Sequence, residues 1–194
     1  MTTLLECFDR HGCDRGYRHH YERLYEPILE PVRNEELVIL EVGIYKGAGI
    51  AAFLDYLPNA IICGIDTFER IRPEEVLILQ HERVAWKEGD SRTIDLPYCY
   101  GFDFIFDDGG HQPLVQAETF KNLYPLLRPG GKYFIEDVWA VDLMSAKQVR
   151  NNAWINRKEF LWERFETLYD TIGEYKRHNL RKGGAGDSCI LEIC

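Results

Sequence analysis

Several things are missing from this chain of 194 residues, and each absence closes a class of function. No apolar run approaches the roughly 18 residues that a membrane-spanning helix needs. The opening stretch MTTLLECFDRHG has neither a basic start nor a long apolar core, so no signal peptide is expected and the cytoplasm is the expected compartment. Basic residues are in deficit, 23 Lys and Arg against 32 Asp and Glu for a formal charge of −9. That balance disfavours a nucleic-acid partner, because phosphate neutralisation needs clustered Lys and Arg. The six cysteines (Cys7, Cys13, Cys63, Cys99, Cys189, Cys194) include no C-x-x-C pair. Neither a structural zinc site nor a disulfide framework is therefore expected; the cysteines read as mostly reduced, with Cys63 and Cys189 in the core. Internal repeats and low-complexity tracts are also absent.

What is present is a domain-sized chain, 45% hydrophobic and 28% charged, long enough to bury a real core. Residues 1–36 read as one or two helices, the second containing HHYERLYEPILEPV, ahead of a core at 37–194; the whole is expected to be one domain. LVILEVG (Leu37 to Gly43) is a continuous apolar run ending in a turn, the pattern of a strand buried on both faces. GAGIAAFLDYLP follows as a helix. AIICGID (Ala60 to Asp66) is a second buried strand, PEEVLILQHE is helical in pattern, and RVAWKEGD is a short strand delivering Asp90. FDFIFDD (Phe102 to Asp108) is the fourth strand and PLVQAETFKNLYPLL the helix after it. Pro129-Gly130-Gly131 then turns into a fifth strand, KYFIEDVW (Lys132 to Trp139). A long helix is expected from about Asn152 to Tyr169. EYKRHN and SCILEIC would close the chain as two strands joined by the Gly-rich LRKGGAGD.

Alternating strands and helices imply an α/β fold: a mostly parallel, Rossmann-like sheet of seven strands, helices on both faces, and a C-terminal antiparallel hairpin. Ligands of such sheets sit beyond the carboxyl ends of the strands. Those ends carry Glu41, Asp66, Asp90, Asp107, Asp108, Glu136 and Asp137. Seven acids converge on one edge.

The turn Glu41-Val42-Gly43-Ile44-Tyr45-Lys46-Gly47 fits E-x-G-x-x-x-G and departs from the dinucleotide pattern G-x-G-x-x-G. Gly43 and Gly47 permit close approach of a ligand. Glu41 is placed to accept from a ligand ammonium group, Asp66 from ribose hydroxyls, and Asp90 lies where an adenine pocket would be. Together with the strand order, this set resembles the class I S-adenosylmethionine-dependent methyltransferases over nearly the whole chain, and Asp107 is counted with its cofactor residues.

Asp107-Asp108-Gly109-Gly110-His111 and Glu136-Asp137 end adjacent strands, where packed carboxylates repel unless a cation neutralises them. Asp108, Glu136 and Asp137 are expected to ligate a hard divalent ion, Mg²⁺ or Mn²⁺. Asp107 is expected to orient backbone and not to bind the metal. His111 follows Asp108 by three residues and suits a general base, since an imidazole titrates near neutrality. Asp14-Arg15-Gly16 followed by His19-His20-Tyr21, then LEVGIYKGAGI, GID, GD, FIFDDGGH and RPGGKYFIEDVW, resembles the metal-dependent sugar O-methyltransferases. That family includes the macrolide deoxysugar enzymes of mycinamicin and tylosin type, and is similar to rhamnosyl O-methyltransferases and cephalosporin-hydroxylase-like proteins. The resemblance implies Mg²⁺ on Asp108, Glu136 and Asp137, with His111 as base. It has two departures: Gly110 stands where the family's D-D-G-S-H has Ser, and Gly12-Cys13-Asp14-Arg15 stands for G-T-D-K.

The expected function is methyl transfer to a sugar hydroxyl, on a rhamnose or another deoxysugar at a glycan terminus, with catalytic His111 and Asp108. The acceptor is thus a sugar or glycan, and a homodimer is the assembly allowed for. Rival readings are a catechol-like phenolic acceptor, a non-catalytic binding module on the same fold and, last, a nicotinamide dehydrogenase. His19 and His20 are shared between a helix-start role and ligand contact. Tyr21 and Tyr25 read as one packed helix face, KGGAGD as a flexible hairpin and not a phosphate cradle. Trp139 and Trp154 read as core or as a stacking surface for a sugar.

Overall fold

The computed structural model describes residues 2–96, 101–151, 162–180 and 188–194. Its centre is a seven-stranded sheet: β1 (Val38–Val42), β2 (Ile61–Asp66), β3 (Val84–Glu88), β4 (Phe102–Asp107), β5 (Leu127–Ile135), β6 (Lys176–Asn179) and β7 (Cys189–Ile193). The strand order is 3-2-1-4-5-7-6, with β1 to β5 parallel and β7 antiparallel to both β5 and β6. The apolar runs read from the sequence are therefore interior strands. β1 and β4 are buried along nearly their whole length.

Chain order reverses between β1 and β4: β2 and β3 lie to one side, β5 to the other. The carboxyl ends of such neighbours splay apart into a crevice. At this crevice Gly43 has φ 88°, and a Cβ there would lie 2.2 Å from the carbonyl oxygen of Asp108. Only glycine allows the two turns to approach so closely.

Helices α1 (Leu4–His11), α2 (Asp14–Tyr17), α3 (Glu22–Leu29) and α4 (Ala48–Tyr56) come before β2, and α1, α3 and α4 pack on one face of the sheet. Helices α5 (Pro113–Leu123) and α7 (Trp162–Ile172) cover the other face, and a short α6 (Ala146–Asn151) precedes α7. A capping box starts α1, with the Thr3 hydroxyl accepting from Glu6 N–H and Glu6 accepting from Thr3 N–H, and Gly12 in the left-handed region ends it. This stop turns the chain into α2 and delivers Arg15 to the sheet edge.

The first core layer is built on stacked rings. Phe106 of β4 stacks on Phe53 at 4.7 Å and on Phe134 at 5.2 Å, and Tyr25 meets both Phe106 and Phe134 edge-on. Offset stacks and edge contacts are the favoured aromatic geometries.

Several elements differ from the sequence reading. PEEVLILQHE forms two 3-10 turns, Pro73–Glu75 and Leu77–Gln80, instead of an α-helix. Its apolar residues are consecutive, so an α-helix would expose several; the 3-10 spacing buries Val76 and Leu79 and leaves Leu77 outside. β5 begins at Leu127, so Pro129-Gly130-Gly131 bulges within the strand: two positions along β4 (Phe102 to Phe104) face five along β5 (Leu127 to Lys132). The strand stops at Ile135, leaving Glu136 and Asp137 just beyond it. The N-terminal segment holds three helices where one or two were expected. Of the long helix expected from Asn152 to Tyr169, residues 152–161 lie outside the described residues, as do Trp154, Cys99 and the KGGAGD loop. Cys189 is buried as expected, Cys63 is half-buried, and Cys7 and Cys13 join the core. Among the described residues no helix is long and apolar enough to cross a membrane.

Truncating the central ring tests this account of the core. Phe106→Ala should destabilise the fold by about 3–5 kcal/mol. Differential scanning calorimetry should find Tm lower by roughly 10 °C.

Candidate functional site

The crevice at the switch point is a cleft of about 560 Å³. One end is made by the turns after β1, β2 and β3, with Gly43, Tyr45, Asp66, Asp90 and Ser91. The other is made by Asp108 to His111 after β4, by Asp137 after β5, and by Asp14 and Arg18 of the α2 region.

Asp66 is held by backbone. Its carboxylate accepts from Tyr45 N–H at 2.8 Å and Phe68 N–H at 2.7 Å, and both donors sit at positive φ (48° and 53°). Asp90 accepts from the Arg92 guanidinium at 2.5 Å and from Arg92 N–H, which holds its carboxyl below the usual carboxylate range.

Beneath the cleft lies a guanidinium that is nearly sealed from solvent. Arg15 is 2% exposed. Its Nε donates to both oxygens of Glu136 at 2.8 and 3.0 Å, its Nη1 donates to Glu41 at 2.7 Å, and its Nη2 lies 3.2 Å from Asp108. Tyr25 adds a hydrogen bond from its hydroxyl to Glu136 at 2.7 Å. Burial opposes the charge on Arg15, but Glu136, Glu41 and Asp108 outweigh it and raise its pKa. Burial raises the pKa of Glu41 and Asp108 in turn, with Arg15 acting against it. Gly49 makes room for the pair, since a Cβ there would fall 2.1 Å from Arg15 Nη1 and 2.2 Å from Glu41 Oε1.

Asp108, His111 and Asp137 can each offer a ligand atom within 4.8 Å of the others'. His111 Nδ1 is buried and has no hydrogen-bond partner in the protein. Asp137 has φ 53°, and the Tyr21 hydroxyl donates to its Oδ1 while accepting from its N–H at 3.3 Å. His19 Nδ1 lies 3.6 Å from the same Oδ1 and 2.8 Å from Ser188 Oγ. Two carboxylates are hard oxygen donors that fit a divalent cation, and the His111 imidazole lies beside them.

The structure thus divides the residues singled out in the sequence. Gly43, Asp66, Asp90, Asp108, His111 and Asp137 line the cleft. Glu41 and Asp107 lie below it, each 2% exposed; Glu41 is taken by Arg15, and Asp107 accepts from the Tyr133 hydroxyl at 3.1 Å and Gly109 N–H at 3.4 Å. Gly47 starts α4 at φ 77° and faces Ile78. Glu136, expected beside Asp137 as a ligand, is 1% exposed, turns inward to Arg15 and Tyr25, and is outside the three-residue cluster. Tyr21 and Tyr25 do pack together, 6.0 Å apart, but their hydroxyls also reach two neighbouring acids. Trp139 packs against Phe165. Sequence reasoning did not single out Arg15, Arg18 or the tyrosine hydroxyls. The spacing of the two tyrosines and the place of Arg15 in the early motif were the available signals.

No family model matches the chain. Among curated proteins it is similar to the mycinamicin VI 2''-O-methyltransferase of Micromonospora griseorubida, 29% identical over 64% of this chain and 33% of the relative. It is similar also to the 8-demethyl-8-(2-methoxy-alpha-L-rhamnosyl)-tetracenomycin-C 3'-O-methyltransferase of Streptomyces olivaceus, 31% identical over 67% of this chain and 35% of the relative. The chain spans about a third of the length of the curated relatives it matches. Among solved structures, the mycinamicin-pathway methyltransferase MycE, in complex with Mg and SAH, matches with TM-score 0.60 at 25% identity, over 70% of this chain and 39% of that one. A putative S-adenosylmethionine-dependent methyltransferase of Methanococcus maripaludis shares the fold over 98% of this chain and 92% of its own, with TM-score 0.58 at 21% identity.

Two stability measurements test the buried charges. Arg15→Met leaves Glu41 and Glu136 buried without their cation and should cost about 3–5 kcal/mol in urea unfolding. For Asp107, burial raises the pKa from 3.8 to about 7. The folded state then holds a proton that the unfolded chain sheds, so this contribution to stability is complete below about pH 4 and lost as pH rises through about 7. In EDTA, Asp107→Asn should match the parent near pH 4 and exceed it at pH 8 by on the order of 2–4 kcal/mol.

Proposed function

From a chain that has the methyltransferase fold and is distantly homologous to the macrolide deoxysugar and rhamnosyl O-methyltransferases, we propose a cation-assisted O-methyltransferase that moves a methyl group from S-adenosylmethionine to a sugar hydroxyl. The meeting of Asp108, His111 and Asp137 at the cleft carries this reading.

The cofactor takes the end of the cleft at Gly43. Asp66, with its carboxylate fixed by two backbone amides, accepts from the ribose hydroxyls, and Asp90 and Ser91 border the adenine. Glu41 and Asp107 shape this end from below. At about 560 Å³ the cleft falls in the roughly 300–1,000 Å³ range of small-molecule sites.

The acceptor takes the other end. Asp108 and Asp137 would hold the Mg²⁺ or Mn²⁺ beside the acceptor hydroxyl. When bound, such an ion acts as a Lewis acid and lowers the cost of removing a hydroxyl proton. His111 takes that proton on its imidazole. A sulfonium methyl needs no acid, only an oxygen aligned with its carbon–sulfur bond, and the close contact of Gly43 with Asp108 brings the two ends of the cleft together for that alignment.

Mass spectrometry of a panel of rhamnosides, oligosaccharide termini, free sugars and catechols, with Mg²⁺ or Mn²⁺, tests the reading. Methyl transfer to the glycosides is expected, with none in EDTA. Asp108→Ala should lower turnover by more than about a hundredfold, beyond the cost of outer-shell changes, while calorimetry still detects S-adenosylhomocysteine binding. Full activity in EDTA would defeat the cation role; methylation of the catechols alone would move the acceptor class to phenols.

A further inference from the structure

Glu136 and Asp137 are consecutive, equally charged and just past the same strand, yet the structure gives them opposite surroundings. Glu136 is 1% exposed and bound by Arg15 and the Tyr25 hydroxyl. Asp137 lines the cleft with Asp108 and His111. The chain turns between them, since Asp137 occupies the left-handed region at φ 53°, which a non-glycine residue adopts only at a cost.

One buried side chain closes that turn. Tyr21 is fully buried, and its hydroxyl is engaged with Asp137 twice: it donates to the carboxylate oxygen Oδ1 and accepts from the backbone N–H at 3.3 Å. The first bond sets the carboxylate's rotation and the second secures the left-handed backbone that presents it. Four residues on, Tyr25 makes a single bond to the acid that turns inward. Two tyrosines at the head of α3 therefore sort two adjacent acids, one to the ion pair and one to the cleft.

We infer that Tyr21 is a positioning residue for the cation, fixing Asp137 toward Asp108 and His111. This rests on the cation-assisted reading above. Outer-shell hydrogen bonds of this kind orient metal ligands, and their loss typically costs 10–100-fold in affinity. Tyr21 touches neither cofactor nor acceptor in this scheme, so its effect should be confined to the cation.

The test is Mn²⁺ binding by the full chain, read by electron paramagnetic resonance of the free ion, in parent, Tyr21→Phe, Tyr25→Phe, Asp137→Asn and the Y21F/D137N double variant. Tyr21→Phe should weaken Mn²⁺ binding at least about tenfold and leave S-adenosylhomocysteine affinity unchanged. Its turnover should be restored by excess Mn²⁺, a change in the cation's apparent KM with kcat kept. Tyr25→Phe should lose less Mn²⁺ affinity than Tyr21→Phe, and the double variant should bind no more weakly than Asp137→Asn alone. Parent-like binding by Tyr21→Phe overturns the inference, as does an equal loss in Tyr25→Phe, which would show that the effect is not particular to the contact with Asp137. A parent chain that binds no Mn²⁺ overturns the cation-assisted reading itself. If Tyr21→Phe does not fold, Tyr21→Met, which also removes the hydroxyl, takes its place: weaker binding than the parent supports the inference, and parent-like affinity overturns it.

Discussion

The site is organised around one buried guanidinium. A parallel sheet brings several strand ends to one rim, and in this chain those ends are acidic. Carboxylates packed at that distance in a low-dielectric edge raise one another's pKa and push the strands apart unless positive charge lies among them. Arg15 supplies it from outside the sheet, reaching Glu41 after 26 residues of chain and Glu136 after 121. A planar fork with five donors can serve three acids at fixed angles, which the point charge of a lysine ammonium cannot. The Arg where the resembling family has Lys is thus a geometric change as well as a conservative one. Such a buried network is weak as net stabilisation, because desolvation offsets most of its attraction. Its effect is arrangement, since each strand end is held to the same centre.

That centre divides the acids into two tiers. Glu41, Glu136 and Asp107 lie under the surface and are spent on Arg15, Tyr25, Tyr133 and backbone. Asp66, Asp90, Asp108 and Asp137 face the cleft. In the upper tier, Asp66 is held by backbone amides, Asp90 by Arg92 and Asp137 by Tyr21. Asp108 belongs partly to both, with Arg15 Nη2 3.2 Å behind it and the cleft in front. A cation bound there would meet a carboxylate already turned toward it by charge and packing.

The sheet was legible in the sequence because its strands are continuous apolar runs that end in acids, and LVILEVG, AIICGID and FDFIFDD need no partner to be recognised. The cleft was legible for the same reason: a glycine turn and strand-end acids must gather where strand order reverses. The division within Glu136-Asp137 was not, because both residues are acids past a buried strand and only the left-handed turn at Asp137 separates them. Nor was Arg15 legible as the centre, since contacts 121 residues apart leave no periodicity in the chain. The PEEVLILQHE segment misled because four consecutive apolar residues satisfy a helical pattern loosely, and tertiary burial of Val76 and Leu79 decides the matter.

The contact between Gly43 and the carbonyl of Asp108 ties architecture to chemistry. It exists because β1 and β4 are neighbours at the switch point, a property of topology alone. Yet Gly43 belongs to the turn proposed for the methyl donor, and Asp108 to the pair of acids proposed for the cation. Under that proposal, the distance between donor and acceptor chemistry would be set by backbone packing at the sheet's centre. Transfer of a methyl group from sulfur to oxygen depends on that distance and on alignment more than on any acid.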